Sequence, residues 1–456
     1  MIKLTTQQLA QILNANLIGD GQVVVENINT DTRKAVSNSL FFALKGEHFD
    51  AHQYLDKAVE QGATALVVQK ANTNISTPQL VVSDTRLALG QLAKWLREKI
   101  NPRTVAMTGS SGKTTVKEMT ASILQQTAGN PETVLFTNGN FNNDIGVPLT
   151  LLRLTEQHKF AVLELGANHQ GEIDYTTHLT QPEAALVNNV AAAHLEGFGS
   201  IEGVARAKGE IYRGLTPNGV AIINSEHNYI ELWQNEIGSH AIQYFDGGDY
   251  KAKNVEHSPN GSTFMLVSPK GSIEINLPYL GEHNVKNALA ATALAMNVGA
   301  SLADVKAGLE HRSQVKGRLF PIQVNENLLL LDDTYNANVD SLQAAIDVLK
   351  GYDAFRILLV GDMKELGEDS LKCHQQVGEH AKQAKLDLVL SYGTESAVIS
   401  EAVLGKHFKD KAELTAYALD IIKQKLQENQ KVVVLAKGSR SMKMEETIYS
   451  LKDSLC

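Results

Sequence analysis

One stretch constrains this chain more than any other: Thr108-Gly109-Ser110-Ser111-Gly112-Lys113-Thr114-Thr115. The apolar run Thr104-Val105-Ala106-Met107 leads into it and reads as a buried parallel strand. Behind it, Val116, Met119, Thr120 and Ile123 recur at helical spacing as far as Gln125. Strand, glycine-rich turn and helix, in that order, form the context of a phosphate-binding loop. The glycines let backbone N–H groups turn inward, and the helix N-terminus adds roughly half a positive charge facing them. Lys113 would reach the β- and γ-phosphates of a nucleotide, and Thr114 would place its hydroxyl on a magnesium ion. The common pattern carries an earlier glycine where this chain has Met107, so this is the shorter G-x-x-G-K-T-T form. The competing reading is a tight turn with a solvated lysine.

A chain of 456 residues exceeds one ordinary core, so several domains are expected. Its net charge of −9, from 42 basic and 51 acidic residues, argues against a nucleic-acid partner. A polyanionic small substrate remains compatible where positive charge is concentrated, as at Lys113. The cysteines Cys373 and Cys456 lie far apart and form no metal or disulfide framework, which suits a reducing cytoplasm. The start of the chain turns polar at once (Thr5, Thr6, Gln7, Gln8), and no apolar run approaches the ~20 residues that span a bilayer. The expectation is a cytoplasmic protein with no membrane insertion.

The pattern of elements predicts an α/β chain in three domains, over 1–83, 84–318 and 319–456. In the first, Leu9 to Leu13 reads as helical, Val23 to Ile28 as extended, and Leu66–Val68 and Leu80–Val82 as buried strands. Asn27 to Arg33 and Leu40 to Gly46 each run from an apolar strand into a polar turn with a cation. These turns are either solvated loops or grips for a phosphate. A helix from Asp84 to Ile100, with Leu87, Leu89, Leu92, Trp95 and Leu96, ends at Asn101-Pro102. In the central part, apolar strands alternate with amphipathic helices, which argues a mainly parallel sheet. Tyr250 to Leu277 departs from this as a β-meander, with turn pairs Asn260-Gly261 and Lys270-Gly271. The last part has strands at Asn327–Leu331, Arg356–Val360, Leu386–Leu390 and Lys431–Ala436, each followed by a helix: a Rossmann-like unit without G-x-G-x-x-G.

Four stretches carry candidate chemistry. Thr137 to Asn143 is dense in amides and is either a loop or a polar cradle beside the nucleotide. Glu164 sits on an otherwise apolar strand, where a buried carboxylate is costly unless paired or bound to metal; a magnesium ligand and a structural ion pair are the alternatives. Asn188 to Gly199 follows a strand, and its His194 and Glu196 fall near the carboxyl edge where open α/β sheets hold ligands. The next helix carries Lys208 and Glu210. Finally, Lys437 and Arg440 in Ala436 to Ser441 could hold an anion or lie in a solvated turn.

Together these motifs resemble the Mur ligases, the ATP-dependent amide-forming enzymes of peptidoglycan precursor synthesis. The anchors are the 108–115 loop, Asn-Asn-x-x-Gly-x-Pro at 142–148, Glu164, the His194 stretch, Gly-x-His-Asn at 281–284, Gly317-Arg318 and Asp332-Asp333. Ala-Lys-Gly-Glu-Ile at 207–211, Asp-Asp-Thr-Tyr-Asn-Ala-Asn at 332–338, Gly-Asp-Met-x-Glu-Leu-Gly at 361–367 and Lys-Gly-Ser-Arg-Ser-Met at 437–442 resemble one branch. That branch adds D-alanyl-D-alanine to UDP-N-acetylmuramoyl-tripeptide. One departure is Val339, where relatives often have proline.

The resemblance implies an acyl-phosphate route with ATP and Mg2+, catalysed through Lys113, His194 and Lys208. ATP would lie on Gly109 to Thr115, with Asn284 by the adenine and Asn287 also on the nucleotide. Arg318 and Asp333 would reach it from the last domain. Thr114 and Glu164 would hold one magnesium, and His194 would help hold a second. Lys208 matches a lysine carbamylated in the family. Thr32, Arg33, Lys45 and Gly46 would grip the UDP end, and Asn142 and Asn143 would face substrate. The C-terminal domain would present D-alanyl-D-alanine, in a monomer that closes on its ligands. The nearest rival is a folylpolyglutamate synthase-like ligase; an ATP-driven switch or motor and an inactive regulatory relative are more distant readings.

Overall fold

The computed structural model describes residues 3–47, 49–192, 195–226, 229–311 and 316–455. At its centre the strand leading into the P-loop, Arg103–Thr108, lies inside a six-stranded sheet. The order is Ala241–Phe245, Val220–Asn224, Ala184–Val187, Arg103–Thr108, Phe160–Glu164, Val134–Phe136, and every pairing is parallel. A parallel sheet must be covered on both faces. Val105 and Met107 accordingly point into one apolar cluster, with the helices Lys113–Ala128 and Glu282–Asn297, while Ala106 between them points into another. The chain first runs outward from Arg103–Thr108 and later returns to pair on its other side. That reversal opens a crevice at the carboxyl edge, where Gly109, Glu164 and Asn188 all emerge.

The predicted meander is present as three antiparallel strands, Lys251–Ser258, Gly261–Ser268 and Gly271–Leu277. Its Phe264, Leu266 and Ile275 join the cluster behind the P-loop helix. The C-terminal sheet has the order Phe320–Asn325, Leu328–Asp332, Val432–Lys437, Phe355–Gly361, Leu388–Tyr392, Lys406–Phe408. The first strand is antiparallel and the others are parallel. Both outer strands escape the sequence reading: the first carries Pro321, and the last has only three residues. The helix Val339–Lys350 buries Leu342, Ala345, Ile346 and Leu349 as their spacing predicts. Its cap is Asn338, whose side chain accepts from Ser341 N, and Val339 occupies the first helical position, where proline is also favoured.

The N-terminal sheet runs Asn16–Ile18, Gln79–Val81, Ala63–Val68, Ser39–Phe42, Asn27–Asn29. The stretch Val23 to Ile28 is therefore not one strand. Val24–Val25 pairs with Leu4–Thr5, and Asn27–Asn29 pairs with Ser39–Phe41 in the larger sheet. The helix Thr85–Ile100 is capped by the Asp84 carboxylate and closed by Asn101 at φ 50°. It buries Leu89, Leu92 and Leu96, but Leu87 is 47% exposed, correcting its placement on the apolar face. Two residues before Leu89 is the opposite side of a helix turning about 100° per residue. The cluster around this helix contains Leu40 and Leu80 from the first sheet and Leu9 from the helix Thr6–Leu13, together with Leu163 from the central sheet and Ile173 and Tyr212 from the segments that cover it. Buried Arg97 fastens it further, donating to Thr180 O at 2.7 Å and Gln181 O at 2.8 Å.

Candidate active site

A cavity of about 630 Å³ lies between the carboxyl edge of the central sheet and the loops that begin the C-terminal unit. Ser110 to Thr115, Glu164, Lys208, Arg318 and Asp333 all line it. These residues are far apart in the sequence, and the fold brings them to one cavity.

The loop is built around Gly112. Its φ is +75°, and a Cβ there would stand 2.6 Å from both Asn188 Nδ2 and Asn287 Oδ1, so only glycine fits. Those amides form a ladder behind the loop. Asn188 Nδ2 donates to Ser111 O (3.1 Å) and Asn287 Oδ1 (2.9 Å), and Asn287 Nδ2 donates to Asn284 Oδ1 (3.0 Å). Ser111 N in turn donates to Asn189 Oδ1 at 2.8 Å. Asn284 and Asn287 thus border the cleft and brace the P-loop from behind. Lys113 Nζ folds over its own loop and donates to Gly109 O at 2.6 Å. Burial pushes its pKa down; Glu164 opposes that shift and Arg318 adds to it.

Thr114 is the junction of the site. Its hydroxyl donates to Glu164 Oε2 at 3.0 Å and accepts from Arg318 Nη2 at 3.2 Å. The other oxygen of Glu164 accepts from Asn142 Nδ2 at 2.8 Å, and the residue is 2% exposed. Among the described residues, then, this carboxylate meets a hydroxyl and an amide, a set of hard oxygen donors with a supporting donor that suits magnesium. Asn143 Oδ1 instead accepts from Gly146 N (2.8 Å), the first residue of the following helix. Lys208, 2% exposed on Ile201–Gly209, faces the same cavity, and burial followed by the nearby Lys113 drives its pKa well below the ordinary lysine value. Just beyond it, buried Glu210 accepts from Gly171 N (2.8 Å) and Asp174 N (3.0 Å), fixing the helix end. His194 lies outside the described residues.

From the C-terminal side, Arg318 stacks over Tyr335 with 4.1 Å from Cζ to the ring centroid. Tyr335 N donates to Gly317 O at 3.2 Å, and Gly317 takes φ +76° to make that turn. Asn338 Nδ2 reaches Ser110 O at 3.4 Å. Asp333 accepts from Leu319 N (3.1 Å) and pairs with Lys437 Nζ (2.7 Å), both partners buried. Lys437 therefore sits in the cleft wall, not in a solvated turn, whereas Arg440 is on the surface with Glu445. His283, on the same wall, has its pKa lowered to about 4 by burial and by Lys437. Thr32, Arg33, Lys45 and Gly46 stay on loops of the N-terminal sheet and do not line this cavity; the Arg33 side chain is 83% exposed and pairs with Asp31. Sequence reasoning missed Tyr335 as a partner of Arg318, and Lys117, a lysine one helical turn after Thr114. Its signal was a cation among apolar positions of the helix.

Comparison with known proteins follows the same three-part layout. The family described as "Mur ligase family, catalytic domain" matches residues 24–96, "Mur ligase middle domain" matches 107–295, and "Mur ligase, glutamate ligase domain" matches 317–440. The chain is 77% identical over 455 residues to the UDP-N-acetylmuramoyl-tripeptide–D-alanyl-D-alanine ligase of Haemophilus influenzae, covering 100% of both chains. A crystal structure of MurF from Acinetobacter baumannii superposes with a TM-score of 0.94 at 41% identity, covering 99% of each chain. MurF ligase from Thermotoga maritima in complex with ADP gives 0.83 at 26% identity, over 94% of this chain and 98% of that one.

Proposed function

This chain belongs to the Mur ligase family, and from that premise we propose that it joins D-alanyl-D-alanine to UDP-N-acetylmuramoyl-tripeptide with conversion of ATP to ADP and phosphate. The reaction is an amide ligation of peptidoglycan precursor biosynthesis. Full-length kinship favours it over a folylpolyglutamate synthase-like ligase. The geometric observation that carries the reading is the meeting at Thr114 of the P-loop helix, the Glu164 strand and Arg318 from beyond Gly317.

The terminal carboxylate of the tripeptide attacks the γ-phosphorus of ATP, ADP departs, and an acyl phosphate forms. The amine of D-alanyl-D-alanine then adds to that carbonyl, and the tetrahedral adduct expels phosphate as the amide forms. Lys113 exchanges the Gly109 carbonyl for phosphate oxygens, and with the helix N-terminus it stabilises the charge that develops on the transferring group. Arg318 brings a second cation from the C-terminal side. Thr114 and Glu164 would hold magnesium, with Lys208 as a carbamate and His194 completing the family's set. That ion would neutralise phosphate charge. Among the described residues no three His, Cys, Asp or Glu side chains cluster as a ready metal site, so a carbamate on Lys208 would supply the second anionic ligand. Residues 1–83 would hold the UDP end through Thr32, Arg33, Lys45 and Gly46, and residues 319–456 would bring the dipeptide. The enzyme would act as a monomer in the cytoplasm; no described helix is long and apolar enough to cross a membrane.

The test is phosphate release from ATP with UDP-N-acetylmuramoyl-tripeptide, with and without D-alanyl-D-alanine. Sustained release should require both. Equal release without the dipeptide would replace ligation by simple hydrolysis.

A further inference from the structure

Lys117 is a buried cation one turn into the P-loop helix, and nothing in the chemistry above uses it. Its side chain is 2% exposed. Nζ donates to Thr137 O at 2.8 Å, pairs with Glu118 Oε1 at 2.6 Å and lies 5.6 Å from the Phe136 ring centroid. An ammonium taken out of water carries a desolvation penalty that its partners must offset, and an apolar side chain of similar length would fill the space without it. A packing role alone is therefore a poor account of lysine here.

Its partner supplies a better one. Thr137 is fully buried where the Val134–Phe136 strand ends, and its hydroxyl accepts from Glu164 N at 3.0 Å. From Thr137 the amide loop turns back across the end of the Glu164 strand: Gly166 N donates to Asn142 O at 2.7 Å, and Asn142 Nδ2 holds Glu164 Oε1. A Cβ on Gly166 would press the Asn142 side chain at 3.0 Å, so the strap lies tight. Thr114 and Lys117 are three residues apart and share one helical face. The helix thus grips this assembly twice, through Thr114 at the carboxylate and through Lys117 at the root of the strap.

We propose that Lys117 is a positioning residue for the cation site of the nucleotide cleft, setting the amide loop and Glu164 in register with Thr114. The inference rests on the reading of the cleft as a magnesium–nucleotide site. Lys117 touches no reacting atom and acts through Thr137 and Asn142. Removing a group that orients a metal ligand from outside the ligand set lowers metal affinity about 10–100-fold.

The experiment is calorimetric binding of ADP to the full chain, with Mg2+ and with EDTA, in wild type, Lys117→Met and Thr137→Val. Tighter ADP binding by wild type in Mg2+ is the control for the underlying reading, and its absence would remove that reading whatever the variants do. Given that control, Lys117→Met should lose about 10–100-fold of the Mg2+-dependent gain while ADP affinity in EDTA stays within about threefold of wild type. An unchanged Mg2+ gain, or an equal fall in both media, would overturn the positioning role. If Lys117→Met does not fold, Thr137→Val keeps the lysine and breaks the next link in the chain, and the same two outcomes decide.

Discussion

Lys113 opens the helix Lys113–Ala128 and its side chain meets the amide-braced loop only through Gly109 O, so replacing it should cost little packing. Lys113→Ala should leave the thermal midpoint within a few degrees of wild type and lower turnover at least about a hundredfold, the loss of ~3 kcal/mol of charge-assisted contact with the transferring phosphoryl group. A folded variant within tenfold of wild type in phosphate release would contradict the assignment. Lys208 makes a different claim. Burial and Lys113 disfavour its ammonium, the direction that carbamylation by carbon dioxide would require. Lys208→Ala should be inactive and regain part of its activity with short-chain carboxylates; normal turnover without them, or no rescue, would return Lys208 to an unmodified role. His283 gives a pH signature. Its folded pKa, about 4, lies below the unfolded value near 6.5, so between these values the unfolded chain binds more protons and stability falls as pH falls. Denaturant titrations at pH 7 and pH 4.5 should show an acid loss in wild type that is smaller by up to ~3 kcal/mol in His283→Gln. Equal losses in both proteins would assign the effect elsewhere.

At the scale of elements, the P-loop was legible because strand, turn and helix are consecutive in the chain and each obeys its own period. The same holds for the meander and for the helix Val339–Lys350. What was not legible depends on elements meeting. Leu87 has the composition of a core residue and the wrong angle around its helix. The outer strands Phe320–Asn325 and Lys406–Phe408 pair on one side only and carry weak signals of their own. Asp333 and Lys437 were both noticed, yet their ion pair joins neighbouring strand ends separated by a hundred residues of chain. Tyr335 stands in a polar motif with no pattern of its own, and its use as a platform for Arg318 appears when the two loops are folded together. A guanidinium over an aromatic face is worth about 0.5–2 kcal/mol. Tyr335→Leu should accordingly lower kcat about two- to thirtyfold, while Tyr335→Phe, which keeps the ring, stays near wild type. If Phe and Leu are equally impaired, the ring face is not what positions Arg318.

For the whole molecule, the cleft must admit two substrates and then exclude water from an acyl phosphate, which asks the C-terminal unit to move about the Gly317 turn. Small-angle scattering should give a smaller radius of gyration with an ATP analogue and UDP-N-acetylmuramoyl-tripeptide together than with neither. Unchanged scattering at saturating ligand would count against closure. The other end of the chain has no such freedom. Because the helix Thr85–Ile100 is packed into one apolar cluster by both the first sheet and the central sheet, the P-loop unit shares its interior with what precedes it. The consequence is one of heredity and engineering. A gene cut after residue 83 would strip one face of the first sheet of the long helix that covers it, so that piece is not a cassette that can be swapped between relatives, and any change in what its loops bind has to be made on a retained core.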